Sequence, residues 1–357
     1  VAYRPGKGME ERIAALPYDV YNRAEACEVV KKNPESFLAI DRAETQFGEE
    51  VDTYADCVYE KADQMLREKI LEGKFVQDPT PCFYLYELTM DGHSQTGVVG
   101  CASIDDYRNN VIKKHENTRA DKEEDRIRHV DTCSMQTGPI FLAYRAKEDL
   151  KEKIGELKKQ APVYDFVSED GIGHRVWVID NDSDVAMIEE AFGKIPAIYI
   201  ADGHHRCASA VKVGLKRREQ YPDYTGEEEF NYFLSVIFPD EELRILDYNR
   251  VVKDLNGMDA ATFLTRIEEY FAVEKKGQSP YRPTEKGTFG MYLENEWYSL
   301  SAKDEIKSED AVEGLDVSLL QNDLLDPILG IMDPKTDKRI DFVGGIRGLG
   351  ELERRVH

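Results

Sequence analysis

The sequence predicts an α+β fold, and three observations carry that prediction. Asp91-Gly92 and Asp170-Gly171 each separate two β-rich runs, the signature of antiparallel hairpins rather than of βαβ crossovers. Amphipathic or Lys/Glu-rich runs of helical period are interspersed irregularly among the strands. The tail, from about Met258, mixes short helices and strands without a repeating unit.

In chain order, AYRPGKG reads as an opening loop, 24–32 as a polar helix and 36–40 as a strand. Over 56–72 the residues Val58, Tyr59, Ala62, Met65, Leu66 and Ile70 fall on one helical face, and Gly73 ends the helix. Pro79 and Pro81 break the chain before the hairpin 83–90 and 95–103. Thr118 with Asp121 three residues later forms a capping box, so a helix starts near Ala120. A strand follows at 139–144, a helix at 147–159, a second hairpin at 163–167 and 174–179, and a helix at 184–192. Beyond the segment 195–214, strands are expected at 232–239 and 243–247, with short elements at 263–271, 288–293 and 296–300. The chain ends on Arg354-Arg355-Val356-His357 in a helical pattern, and the natural protein is expected to continue.

The 357 residues are 41% hydrophobic and 10% aromatic, enough for a packed core, and the net charge is −23. With a sequence pI near 4.8, the chain repels nucleic-acid phosphates and anionic membranes, so neither is expected as a partner. No run approaches the roughly 20 apolar residues of a membrane span, no secretory signal is recognised, and a cytoplasmic location is expected. Cys27, Cys57, Cys82, Cys101, Cys133 and Cys207 are scattered without a C-x-x-C pair, which argues against structural zinc and for reduced thiols. Cys207 is expected as a small buried thiol.

Against that acidic background the basic residues near 113–129 and 204–218 look local and suited to a small anion. The apolar run Ile195, Ala197, Ile198, Tyr199, Ile200 stops at Asp202-Gly203; His204, His205 and Arg206 follow, and Ala208, Val211 and Leu215 continue at helical spacing. Strand, tight turn and helix N-terminus then aim backbone N–H groups, the helix dipole and basic side chains the same way, which is the physics of a phosphate cradle. Upstream, Lys113-Lys114-His115-Glu116-Asn117-Thr118-Arg119 leads into the helix from Ala120. Arg119, Lys122, Arg126 and His129 share one of its faces, a cationic stripe for a polyanion such as a nucleotide. The ordinary alternative is a solvated helix with i,i+4 ion pairs, which accounts for Glu123, Glu124 and Asp125 but poorly for HENT. The late glycines Gly344, Gly345 and Gly348 lack dinucleotide spacing, and there is no P-loop.

ALPYDV (15–20), NPESFLAIDRAE (33–44), NNVIKKHENTRADKEEDR (109–126), GPIFLAYR (138–145), ADGHHR (201–206) and DPKTDKRIDFVGGIRG (333–348) together resemble the DUF1015 family, over essentially the whole chain. The resemblance implies kinship with the ParB/sulfiredoxin fold, which includes free-serine kinases. It implies a ParB/sulfiredoxin-like nucleotide-binding core at 81–250, with N-terminal (1–80) and C-terminal (251–357) α+β additions, the latter incomplete. By the same resemblance Glu116 is the general base, Asp202 positions the hydroxyl or a metal, and His115 belongs to the same catalytic HE motif. Gly203, His204, His205 and Arg206 hold phosphate oxygens, with Thr118, Arg119, Lys122 and Arg126 beside them.

The expected function is therefore an ATP- or ADP-dependent, Mg²⁺-using kinase of a small hydroxylated metabolite, L-serine favoured. LPYDV (16–20), including Asp19, with Asn22, Arg23 and Arg42, is expected to wall the acceptor pocket, and the oligomeric state is left open. The alternative is a nucleotide-hydrolysing switch of the ParB type without a metabolite acceptor. A metal-dependent hydrolase using His204, His205, Asp202 and Glu116 ranks last, because adjacent residues at a helix start point about 100° apart.

Overall fold

The computed structural model describes residues 2–357, apart from 116–119, 311 and 335 and the side chains of 120–122 and 346. It is mixed α+β, with two compact units, Val1–Leu243 and Arg244–His357. The first 80 residues share a unit with the expected core, and the boundary falls just before residue 250.

The first unit runs β1 (Tyr3–Pro5), α1 (Glu10–Ile13), α2 (Arg23–Lys32), α3 (Leu38–Asp41), α4 (Asp56–Leu71) and β2 (Phe75–Gln77). It continues β3 (Phe83–Met90), β4 (His93–Ser103), α5 (Ile104–Arg108), β5 (Ile112–Lys113), α6 (Ala120–Cys133) and β6 (Ile140–Tyr144). Then come α7 (Glu148–Leu157), β7 (Tyr164–Val167), β8 (Gly173–Ile179), α8 (Asp182–Gly193), β9 (Ile198–Asp202), α9 (His204–Gln220) and β10 (Tyr232–Pro239). Eight of these strands form one mixed sheet in the order β5-β9-β6-β10-β4-β3-β8-β7. The β5/β9 and β6/β10 pairs are parallel and the others antiparallel.

Local chemistry explains most of these elements. Asp91 (φ 52°) and Gly92 (φ 75°) both take the left-handed backbone that a two-residue hairpin turn needs, so β3 and β4 pair from Met90↔His93 back to Tyr84↔Val99. Asn22 caps α2 in a reciprocal capping box with Glu25. Helix α9 buries Cys207, Ala208, Ser209, Ala210, Val211, Val213 and Gly214, small residues that let it lie close to its neighbours. Its inner face joins Ile112, Ile140, Leu142, Ile200 and Phe233 in one core, while Leu85, Val98, Leu157, Trp177 and Ile179 form another. A third, of Ile13, Ile40, Val58, Leu66, Phe75 and Cys133, links α3, α4 and the end of α6.

Four local expectations are corrected. Residues 36–40, apolar enough to read as a strand, turn instead into α3: the Ala39, Ile40 and Arg42 amides bond back to the carbonyls of Ser36, Phe37 and Leu38, and three successive side chains are buried. Helix period and strand alternation cannot be told apart over so short a run. Tyr3–Pro5, taken as loop, pairs with β2. Residues 243–247 form no strand; the pairing starts at Tyr248. The element at 263–271 is a helix that ends at Ile267, and Phe271 opens a strand.

The second unit contains β11 (Tyr248–Val252), α10 (Ala260–Ile267), β12 (Phe271–Gly277), β13 (Thr288–Leu293), β14 (Glu296–Ala302), α11 (Asp316–Leu320), β15 (Ile340–Gly344) and α12 (Gly350–Val356). Strands β12-β14-β13 make one antiparallel sheet and β11-β15 a two-stranded ribbon. Phe263, Ile267, Phe271, Leu300, Leu325 and Leu329 pack between them and α10.

The packing around Leu85 fixes an expected cost for a cavity. Leu85, wholly buried against Val98, Trp177 and Ile179, should lose about 2–5 kcal/mol of stability on Leu85→Ala, measured by urea denaturation. A loss within experimental error would contradict the packing described.

Candidate functional site

Strands β5 and β9 are parallel neighbours, so the chain leaves both at the same edge of the sheet. The β5 exit is Lys114-His115 and the β9 exit is the Gly203 turn. Strand β6 runs antiparallel to β9, with Phe141 opposite Asp202, which brings Gly138 and Pro139 to that edge too. Loops at the carboxyl ends of parallel strands are where open α/β sheets bind ligands.

Gly203 has φ 89° and ψ 31°, the left-handed conformation that an L-residue adopts only with strain. It occupies the N-cap position and has no side chain with which to cap α9. The first-turn N–H groups of any helix lack an intrahelical acceptor, and here they come with the positive end of a 17-residue helix. A small recess of about 60 Å³ lies there, lined by Tyr18, Asp19, Asp202, Gly203, His204, His205 and Arg206. It is the size of one phosphoryl group rather than of the 300–1,000 Å³ pocket that encloses a whole small molecule.

Arg206 shapes the recess. Its guanidinium donates to the Pro139 carbonyl at 2.8 Å and to Asp202 Oδ2 at 2.9 Å. A Cβ on Gly203 would stand 3.3 Å from Arg206 Nε, and one on Gly138 would stand 3.3 Å from Nη1, so both glycines permit this close approach. The Asp202 side chain is 71% exposed and that of Arg206 20%. His204 is buried, and the exposed His115 packs edge-on against it with ring centroids 4.4 Å apart. The HE and DGHHR segments therefore meet through their histidines. Glu116, Thr118 and Arg119, and the side chain of Lys122, lie outside the described residues.

The expected cationic stripe on α6 does something else in its described part. Arg126 is buried, ion-paired to Asp125 at 2.8 Å with Asp41 Oδ1 4.0 Å away, and its guanidinium lies 4.1 Å from the centre of the Tyr18 ring. Tyr59 donates to the other Asp125 oxygen and Thr137 to Asp41. His129 is buried with Nε2 at 3.2 Å from the Ile40 carbonyl; burial, then Arg126, push its pKa below the ordinary 6.5. On α9, Lys212 pairs with Glu123, Lys216 and Arg217 with Asp131, and Arg218 with Asp105. Most of the basic cluster 204–218 thus fastens helices together, and Arg206 is its arginine at the recess.

The expected acceptor wall separates in the same way. Asp19 lines the recess. Asn22 caps α2, Arg23 holds the carbonyls of Gly48 and Val51, and Arg42 binds the carbonyls of Tyr18 and Tyr21 and the buried Glu44 carboxylate. Those three side chains are engaged in shaping the loop. Tyr18, within the LPYDV segment expected at the acceptor wall, also lines the recess, whereas Gly138 and Pro139 are not among the expected site residues; GPIFLAYR contains them, and the strand order brings them to the turn. Cys207 is buried, and burial pushes its thiol up to about 12, as inert as expected.

Among the described residues no group of three His, Cys, Asp or Glu side chains is placed to hold a metal ion by itself, and no helix is long and apolar enough to cross a membrane. The model of a family described as "Protein of unknown function (DUF1015)" matches residues 1–318. No curated protein and no solved structure matches the chain.

His129 supplies a pH prediction. Its folded pKa lies below its unfolded one, so the unfolded chain takes the proton first; the stability tied to neutral His129 is complete above about pH 6.5 and is lost as the pH falls below it. His174, lowered by burial, adds in the same direction. Denaturation at about pH 7.5 and about pH 5.5 should show a drop that is clearly smaller in His129→Gln. An equal drop in both proteins would contradict this assignment.

Proposed function

The chain belongs to the DUF1015 family, and we propose that it is a nucleotide-dependent kinase of a small hydroxylated metabolite, with L-serine the favoured acceptor and a ParB/sulfiredoxin-like core over 81–250. One observation supports this most: the left-handed Gly203 turn opens a long helix onto a phosphoryl-sized recess, beside Arg206 and against His115.

Phosphoryl transfer requires mainly alignment and charge neutralisation. In the proposed step, Glu116, the residue after His115, accepts the proton of the acceptor hydroxyl. The hydroxyl oxygen bonds to the terminal phosphorus of ATP or ADP, the bond to the leaving phosphate oxygen breaks, and the shortened nucleotide carries away the charge. Gly203, His204 and His205 at the helix start, with Arg206, hold the phosphoryl oxygens, and His115 packs against His204 and orders the two loops. Thr118, Arg119 and Lys122 supply the remaining phosphate contacts in this scheme. Arg126 is not a direct phosphate ligand in it, because its charge is turned to Asp125, Asp41 and the Tyr18 ring.

Asp202 and Asp19 are carboxylates that line the recess, and one or two carboxylates plus phosphate oxygens is a donor set that suits Mg²⁺. When bound, the ion would neutralise charge on the phosphates. Asp202 and Asp19 would hold it, with Asp202 also turned toward Arg206.

A ParB-type nucleotide switch, with water in place of the metabolite, is the second reading. It is favoured by the small volume of the recess and by the structural engagement of Asn22, Arg23 and Arg42.

The test is a transfer assay with Mg²⁺, ATP or ADP, and L-serine, with phosphoserine read by mass spectrometry. Product should form in the wild type and vanish in Glu116→Gln, while nucleotide affinity stays within about twofold; Arg206→Ala should weaken nucleotide binding itself by about tenfold or more. Nucleotide turnover without phosphoserine would favour the switch. Loss of both activity and affinity in Glu116→Gln would contradict its role as base.

A further inference from the structure

Tyr18 reaches the recess from a loop almost two hundred residues before the Gly203 turn in the sequence. It is held from two directions. Its carbonyl accepts from Arg42 Nη1 at 2.9 Å, and that guanidinium is itself anchored on the Tyr21 carbonyl and the buried Glu44. Its ring lies on Arg126, whose charge is fixed by Asp125. A cation buried under an aromatic face is worth more than one in water, and it fixes the plane of the ring. Burial raises the phenol pKa, and the fields of Arg126 and Arg206 oppose this only in part, so the hydroxyl keeps its proton at neutral pH. A neutral donor is what a recess flanked by Asp19 and Asp202 requires, because further carboxylates would only repel an anion.

We propose that Tyr18 is a ligand-positioning residue of the recess, its hydroxyl donating to a phosphoryl oxygen held at the Gly203 turn, and that Arg126 acts on the ligand only through the Tyr18 ring. This rests on the phosphate reading of the turn and gives it a specificity element: a wall that orients a tetrahedral phosphoryl group. It also gives the buried Arg126 a part in binding without contact to the ligand.

The experiment is a calorimetric titration of the full chain with ADP and Mg²⁺, using wild type, Tyr18→Phe, Arg126→Met and the double variant, with thermal unfolding recorded for each. Tyr18→Phe keeps the ring and should weaken binding by about tenfold with an unchanged unfolding temperature. Arg126→Met should weaken it comparably, and the double variant should be no weaker than Tyr18→Phe alone, since both act on one contact. If Arg126→Met does not fold, Arg126→Lys, which keeps the charge but not the planar stacking, takes its place and should show the same non-additivity. Wild-type affinity in Tyr18→Phe overturns the inference and leaves the phosphate reading standing. Additive losses overturn the role given to Arg126. Absence of ADP binding by the wild type overturns both the inference and the phosphate reading.

Discussion

The left-handed backbone at Gly203 is the constraint on which the rest of the site depends. At φ 89° the chain leaves β9 and enters α9 without an intervening loop, so the helix start stays at the sheet edge. A side chain there would meet strain of about 1–2 kcal/mol and crowd the Arg206 guanidinium. Because Arg206 can lie over Gly203 and Gly138, it ties α9 to the entry of β6 through the Pro139 carbonyl. Turn, arginine and neighbouring strand therefore form one rigid corner.

Behind that corner stands α6, packed against both α4 and α9. Its buried Arg126 is tolerable because Asp125 and Asp41 flank it; the other Asp125 oxygen accepts from Tyr59, and Asp41 Oδ1, the oxygen nearest Arg126, accepts from Thr137. Removing one partner from such a buried group leaves an uncompensated charge, which commonly costs about 3–5 kcal/mol. Ser209 on α9 donates to the carbonyl of Glu123, and Lys212 pairs with the Glu123 carboxylate, so α6 and α9 are joined by polar contacts as well as by packing. In a chain of net charge −23, the basic residues are needed first to satisfy these internal carboxylates.

Much of this architecture was legible in the sequence, for identifiable reasons. Asp91-Gly92 announced its hairpin because only such residues tolerate two successive positive φ angles. The helix at 56–72 and the strand–turn–helix around Gly203 announced themselves through clean periodicity. Residues 36–40 misled, because buried apolar residues in a short run carry no period. Helical spacing correctly put Arg126 and His129 on one face of α6, but spacing does not say what that face meets; Asp41, Ile40 and Tyr18 come from elsewhere in the chain. Asn22, Arg23 and Arg42 looked like ligand groups because they are polar among apolar neighbours, and the same property suits them to cap a helix and tie loop carbonyls. Tyr18 lies in the LPYDV segment that the sequence offers for the acceptor wall, but nothing in the sequence pairs its ring with Arg126 on α6.

The central claim, that the Gly203 turn receives a phosphate, is tested most directly by the amide signal of Gly203. In protein labelled with ¹⁵N-glycine, titration with ADP and Mg²⁺ should shift the Gly203 resonance progressively to saturation, with Gly138, beside the Arg206 guanidinium, moving in step. Saturable binding that leaves both glycines unmoved, or shifts glycines of the second unit instead, would contradict it.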